Sequence, residues 1–436
     1  MGHIYNYFRK AFQKISDLIK NPVVFIYLLS AILITIPLKY AFGSISCMLF
    51  LAVSFSTIHK IKFSYNKALT LPILFYCLMV LSLLWTRDLK STLAGLQKEI
   101  LFLMLPLAFL FIPKLSREAI YKVFRIFSFS MVFYAVYYFI KAIFRYFESG
   151  NTTVFFYHEL VTKELNAIYV SVFASFALFY FIALKNKALI NRISVFILVV
   201  FVFLLSSKNI ILIDFLLIAI FYIFFSKVPN KIKYGRLTIL ILLLISSVVF
   251  VKQIRERFQI EYQTAFTDNT QNTSSKTVYN ISLRQAWCDN QFQTNNYFSG
   301  SALRVYQIRI FKEMVDDENI LFTGFGLEAS QDKIREKARQ HHLYPEYGEF
   351  NFHNQYVQTF AELGIFGLLI LLLMLYYNLK NAVVHKNFLH IVFAVTMITL
   401  FLTESFFCRQ RGVIFFITIY CLFNTINSIK TKIVLK

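Results

Sequence analysis

Apolar residues in this chain fall in long unbroken blocks, without the alternation of a half-exposed helix or strand. The block from 236 to 251 (RLTILILLLISSVVFV) carries no charge after its first residue. A helix apolar on every side is buried in protein or in lipid, and so many blocks cannot all be the core of one soluble domain. A crossing helix takes about 20 mostly apolar residues. About twelve segments approach that length, at 22–39, 41–58, 68–85, 94–112, 122–143, 166–184, 191–206, 209–226, 236–252, 355–377, 387–404 and 412–428. The pattern predicts an all-α integral membrane protein. Its organisation reads as an amphipathic N-terminus at 1–21, spans one to nine within 22–252, a large polar loop at 253–352, spans ten to twelve within 353–428, and a short tail at 429–436.

Composition agrees. The chain of 436 residues is 58% hydrophobic and 16% charged, against about 45–50% and about 25% in soluble domains. A net charge of +22 in a soluble protein would point to nucleic acid. Here the basic residues sit between spans and form no single patch, so no nucleic-acid partner is expected. They crowd alternate loops: Lys60, Lys62 and Lys67; Lys114, Arg117 and Lys122; Lys227, Lys231, Lys233 and Arg236. This bias orients both termini to the cytoplasm and puts 253–352 on the opposite face. No two corresponding Gly/Pro-broken spans appear, which argues against a transporter built from inverted repeats.

Within the polar loop, residues 264–301 read as filler rich in Asn, Gln, Thr and Ser. Residues 302–318 predict an amphipathic helix, with Leu303, Tyr306, Ile310 and Met314 near one face. The Gly324 and Gly326 region breaks it, and a second helical run covers 328–340. His353, at the mouth of the tenth span, is the leading candidate for chemistry, because imidazole exchanges protons near neutral pH. The alternative is an interfacial histidine that caps the helix. His341 and His342 lie in a charged run and read as solvated surface, and His158 is placed to face the same cavity as His353.

Cations at membrane depth are costly and usually have a task. Arg87, Lys208, Arg304, Arg309 and Arg411 qualify. Clamping a phosphate-bearing lipid is one such task; the alternative is snorkelling to the interface, which is favoured for Arg87. Glu362 and Glu404 need cationic partners, and the nearest in sequence to Glu404 are Arg409 and Arg411. No metal-binding or nucleotide-binding motif occurs, so neither metal nor cofactor is expected. The five cysteines show no paired spacing.

Several stretches resemble one family in order. Phe352-His353-Asn354-Gln355-Tyr356 through Glu362-Leu363-Gly364-Ile365-Phe366-Gly367-Leu368 is similar to the signature of the O-antigen ligase and polymerase superfamily. Ser82-Leu83-Leu84-Trp85-Thr86, Ser301-Ala302-Leu303-Arg304, Thr323-Gly324-Phe325-Gly326, Thr403-Glu404-Ser405 and Arg411-Gly412 also resemble family segments. Ser206-Ser207-Lys208 stands where the family typically has Ser-Arg-Gly, so a lysine replaces the family arginine. The resemblance implies a GT-C-like fold with a periplasmic loop. It also implies transfer of a glycan from undecaprenyl diphosphate to lipid A-core or to another repeat unit, in a bacterial inner membrane. Carried over, His353 acts on the acceptor hydroxyl, Arg304 and Lys208 bind the diphosphate with Arg309 as a substitute, and Asn354, Glu362, Glu404 and Arg411 support them.

Overall fold

The structure is a computed structural model. It describes residues 21–56, 65–162, 165–226 apart from 186 and 206, 261–271 and 277–426, with scattered positions between 227 and 260. The expected N-terminal amphipathic helix, the ninth span at 236–252 and the tail lie outside or almost wholly outside these residues.

The described chain is overwhelmingly helical. Its membrane helices are α1 (Pro22–Thr35), α2 (Tyr40–Phe55), α3 (Lys67–Leu81), α4 (Leu89–Glu99), α5 (Leu101–Phe111), α6 (Arg117–Ser149), α7 (Ala167–Ala183), α8 (Leu189–Leu204) and α9 (Lys208–Ile220). Five helical stretches, including α3, α6 and the continuous pair α4–α5, are long and apolar enough to cross a membrane, and six shorter apolar helices accompany them. The chain is a multi-pass membrane protein.

Two helices overrun their apolar windows. α4 begins at Leu89, ahead of the expected 94, because Asp88 caps it through Ser91 N and its first turns keep a polar face. α6 runs for 33 residues between a Ser116 cap and Gly150, which takes the left-handed conformation at φ +63°. At 1.5 Å per residue it spans about 50 Å, well beyond the hydrocarbon thickness of about 30 Å.

The polar segment is a domain with its own core. Strands β1 (Thr270–Gln271), β2 (Tyr279–Ile281) and β3 (Asn296–Phe298) form a small sheet, antiparallel between β1 and β2 and parallel between β2 and β3. Helix α10 (Leu283–Cys288) lies between β2 and β3, and α11 (Gly300–Asp317) and α12 (Gln331–Gln340) follow the sheet. Ile281, Phe292, Phe298, Tyr306, Ile310 and Met314 pack together. The reading of 264–301 as filler is therefore corrected. Ile281, Phe292 and Phe298 turn inward while Phe266 and Trp287 stay exposed, and Ser282 and Gln285 form a reciprocal cap on α10.

The chain then re-enters the apolar bundle as α13 (Gln355–Val384), followed by α14 (Phe388–Leu400) and α15 (Gln410–Ile426). From Gly412 to Thr425 every residue of α15 is buried, so this helix is the axis of the bundle, packed against α5 and α1. α13 packs on α3 and α14.

Candidate active site

The motifs that resemble family segments meet in space, and glycine is what lets them meet. Phe325 N and Gly326 N donate to the carbonyls of Ala361 and Glu362 at 2.8 and 2.9 Å, and Ile365 N donates to Leu321 O at 2.8 Å. Backbone thus bonds to backbone between the 321–326 turn and a helix broken at Gly364, whose φ is +64°. A Cβ on Gly364 would stand 2.2 Å from Phe322 O, and one on Gly324 would stand 2.4 Å from Glu362 C. Only glycine accepts both the positive φ and the contact. From the other side, Trp85 Nε1 donates to Thr323 O at 2.8 Å and Arg87 N to Phe325 O at 3.1 Å. Arg87 also pairs with Glu318 and lies over the Phe325 ring, a structural role.

On this scaffold, Asn354 caps α13. Its Oδ1 accepts from Tyr356 N and Val357 N at 3.0 and 3.1 Å, and its Nδ2 donates to Leu402 O at 3.2 Å. Its backbone N–H donates to Ser405 Oγ at 3.1 Å. One residue therefore satisfies two orphan donors of the helix end and ties that end to the 402–405 turn. Gln355 and Gln358 reinforce the tie: Phe407 N donates to Gln355 Oε1 at 2.8 Å, and Gln358 accepts from Phe352 N at 3.3 Å. Their polarity at the mouth of an apolar helix was a readable signal that sequence reasoning passed over.

His353, preceding that cap, takes φ +46°. This region is uncommon for a side-chain-bearing residue and is held by surrounding structure. Its Nδ1 is buried without a hydrogen bond and faces Glu404 Oε2 at 3.7 Å. The other oxygen of Glu404 accepts from Arg304 Nη2 at 3.0 Å. Glu404 is nearly buried, with 7% of its side chain exposed. The expected partners Arg409 and Arg411 are corrected: Glu404 pairs with Arg304. Arg411 stacks on Tyr40 and donates to the carbonyls of Ile36 and Leu38.

Arg304 is fixed on three sides. Besides Glu404, its Nε donates to Thr403 O at 2.9 Å and its Nη1 to Gly300 O at 2.8 Å. It lines a cavity of about 380 Å³ with Lys208, Ser207, Glu261, Gly300 and Ser301. Lys208 is the first residue of α9, where the helix dipole also favours an anion. Its Nζ lies 3.1 Å from Glu261 Oε1, and Ser301 Oγ donates to the other Glu261 oxygen. Burial alone would raise the Glu261 carboxyl, but Ser301 and Lys208 outweigh it and hold it below its ordinary value. Glu261 was invisible to motif reasoning, because nothing near it in sequence links it to Lys208.

Besides Arg411, three expected residues are not brought here. Arg309 is buried and spent on Glu313 at 2.8 Å, Asp289 O at 2.5 Å and Asn290; it braces the polar domain. Glu362 accepts from Gln358 Nε2 at 2.5 Å, deeper along α13. His158 lines a different cavity with Tyr169, Arg409 and Arg411.

The surface reading of His341 is also corrected. It is only 9% exposed, its Nδ1 lies 3.0 Å from Tyr306 Oη, and burial depresses its pKa. Among the described residues, no group of three His, Cys, Asp or Glu side chains is placed to hold a metal.

Residues 193–372 match the family described as O-antigen ligase, the family that the motifs resemble. That segment holds Lys208, Glu261, Arg304, His353 and Glu362; Glu404 and Arg411 lie beyond it. No curated protein matches the chain.

Proposed function

Taking the O-antigen ligase family as the premise, we propose that this protein transfers a glycan from undecaprenyl diphosphate to an acceptor hydroxyl of lipid A-core. It does so on the periplasmic face of a bacterial inner membrane, with both termini in the cytoplasm, and uses neither metal nor cofactor. The observation that carries the reading is the single carboxylate of Glu404. It holds Arg304 on one oxygen and faces His353 on the other, so the cation and the imidazole belong to one unit.

In this reading Lys208 and Arg304 hold the diphosphate. Three of the five guanidinium N–H groups of Arg304 are engaged and two are left for the ligand. The negative charge of Glu404, 3.7 Å from His353 Nδ1, favours the proton on that nitrogen, so Nε2 accepts the proton of the acceptor hydroxyl. The acceptor oxygen attacks the anomeric carbon, the carbon–oxygen bond to the diphosphate breaks, and its electron pair leaves on the diphosphate. Preorganised cations stabilise that developing charge.

Replacement of His353 or Arg304 by Ala is expected to abolish transfer while the lipid-linked donor accumulates. Gel analysis of surface polysaccharide in a deletion strain tests the acceptor. Retained full-length lipid-linked polymer supports a ligase. A single repeat unit left on the acceptor means a polymerase joining repeat units instead. Unchanged surface glycan removes both. A transporter or flippase of lipid-linked sugars is the reading of another class, and the His353–Glu404–Arg304 unit favours the enzyme.

A further inference from the structure

From the geometry around Lys208 we infer that Glu261 is a built-in stand-in for the donor's diphosphate, which it must yield to on loading and displaces on release. This rests on the donor site just proposed. The Glu261 carboxylate sits where a phosphate group of the donor would bind. One oxygen meets Lys208 Nζ at 3.1 Å and the other accepts from Ser301 Oγ. A Cβ built on Gly300 would lie 3.0 Å from Glu261 Oε1 and 3.2 Å from Arg304 Nη1, so the carboxylate and the guanidinium share one small space that glycine leaves open. All of these groups line the same cavity.

Among the described residues, the carboxylate of Glu261 meets Lys208 and that of Glu404 meets Arg304. A diphosphate diester arriving there brings two further negative charges beside Glu261. The carboxylate then has to leave Lys208, because like charges at contact repel strongly in a partly desolvated site. The return stroke follows from the reaction itself. Transfer converts the diester into a diphosphate monoester, which gains close to one more negative charge at neutral pH. Two cations alone would therefore grip the product harder than the substrate. A tethered carboxylate that competes for Lys208 offsets this and speeds release. Ser301 keeps the competitor within reach.

Farnesyl diphosphate, a short isoprenyl diphosphate monoester, is the probe. Its binding to the purified full-length protein in detergent is measured by calorimetry for the wild type, Glu261→Gln, Ser301→Ala and Lys208→Met. Removing the competing charge is expected to tighten binding roughly fivefold in Glu261→Gln, the scale of a partly exposed ion pair. Ser301→Ala, which releases the carboxylate from its anchor, shifts affinity the same way by a smaller factor. Lys208→Met weakens binding. If wild-type binding depends on Lys208 but Glu261→Gln binds equally or more weakly, the stand-in role is overturned and the donor site stands. If neither the wild type nor Glu261→Gln binds the probe in a Lys208-dependent way, the donor-site reading itself fails. Should Glu261→Gln not fold, Ser301→Ala decides alone: unchanged or weaker binding there overturns the inference.

Discussion

Replacing Asn354 by Ala is expected to cost more in catalysis than in stability. The side chain makes three bonds from a position only 8% exposed. Two cap α13 at Tyr356 N and Val357 N, and one ties α13 to Leu402 O. Loss of an N-cap costs about 1 kcal/mol, and loss of the tether about another 1 kcal/mol. A destabilisation of roughly 2 kcal/mol leaves a multi-helix protein folded, with its melting temperature lowered by a few degrees. The tether, however, sets the distance between His353 and Glu404, one carried on each side of it. A misplacement of about 1 Å between catalytic groups can reduce rates by about 10²-fold, and that is the loss expected in transfer to the acceptor. Asn354→Asp separates the two roles. Its carboxylate still caps the helix, and the helix dipole favours it, but it has no donor for Leu402 O. Its melting temperature is expected to lie above that of Asn354→Ala while transfer stays low. Paired thermal unfolding and transfer assays on the three proteins check this. Wild-type transfer rates in Asn354→Ala would refute the reasoning outright, and recovery of transfer in Asn354→Asp would assign the effect to the cap alone.

Gly364→Ala is expected to unfold the junction between the polar domain and α13, because its Cβ would fall 2.2 Å from Phe322 O and its φ is positive; the loss is about 3 kcal/mol or more. Gly43→Ala, whose Cβ would meet only Ile414 Cδ1 at 3.3 Å, is the matched control and should melt close to the wild type. Glu404→Gln should fold, since Arg304 keeps its bonds to Thr403 O and Gly300 O, but should lose about 10²-fold in transfer rate; an unchanged rate would show that the carboxylate does not work through His353. Stability should fall as pH drops below about 6.5. The buried His341 has its pKa depressed from the usual 6.5 by desolvation, which outweighs the attraction of Glu313, with Arg309, Lys337 and His342 adding to the depression. The unfolded chain therefore takes up the proton first, so the contribution is complete above pH 6.5 and is lost on acidification. A melting temperature in His341→Gln that changes less between pH 7.5 and 5.5 than that of the wild type would be the signature.

Most helices were legible, because a lipid-facing or bundle-core helix announces itself by the length of its apolar run. What was not legible shares one physical cause, namely partners supplied from far along the chain. Glu404 was assigned the nearest cations in sequence, yet its partner lies 100 residues away. His341 looked solvated because its neighbours in sequence are charged, whereas Tyr306 on α11 covers it. Arg309 was read by residue type as a phosphate clamp, although Glu313 one turn later on the same helix already offered it an ordinary partner. Segment 264–301 looked structureless because a small sheet needs few apolar residues. His353 and Arg304 stood out by position, at the mouth of a span and at membrane depth, but position does not separate a working imidazole from an interfacial one.

The backbone bonds that join 321–326 to 361–365, with Trp85 and Arg87 closing the third side, have a consequence for anyone who exchanges parts between such proteins. The polar domain is not a module that ends where the span begins. A chimaera cut at the apparent boundary near 352 would sever a sutured seam and place foreign side chains against glycines that tolerate none. A workable exchange would carry 82–87, the domain through 326, and the first three turns of α13 as one inherited block.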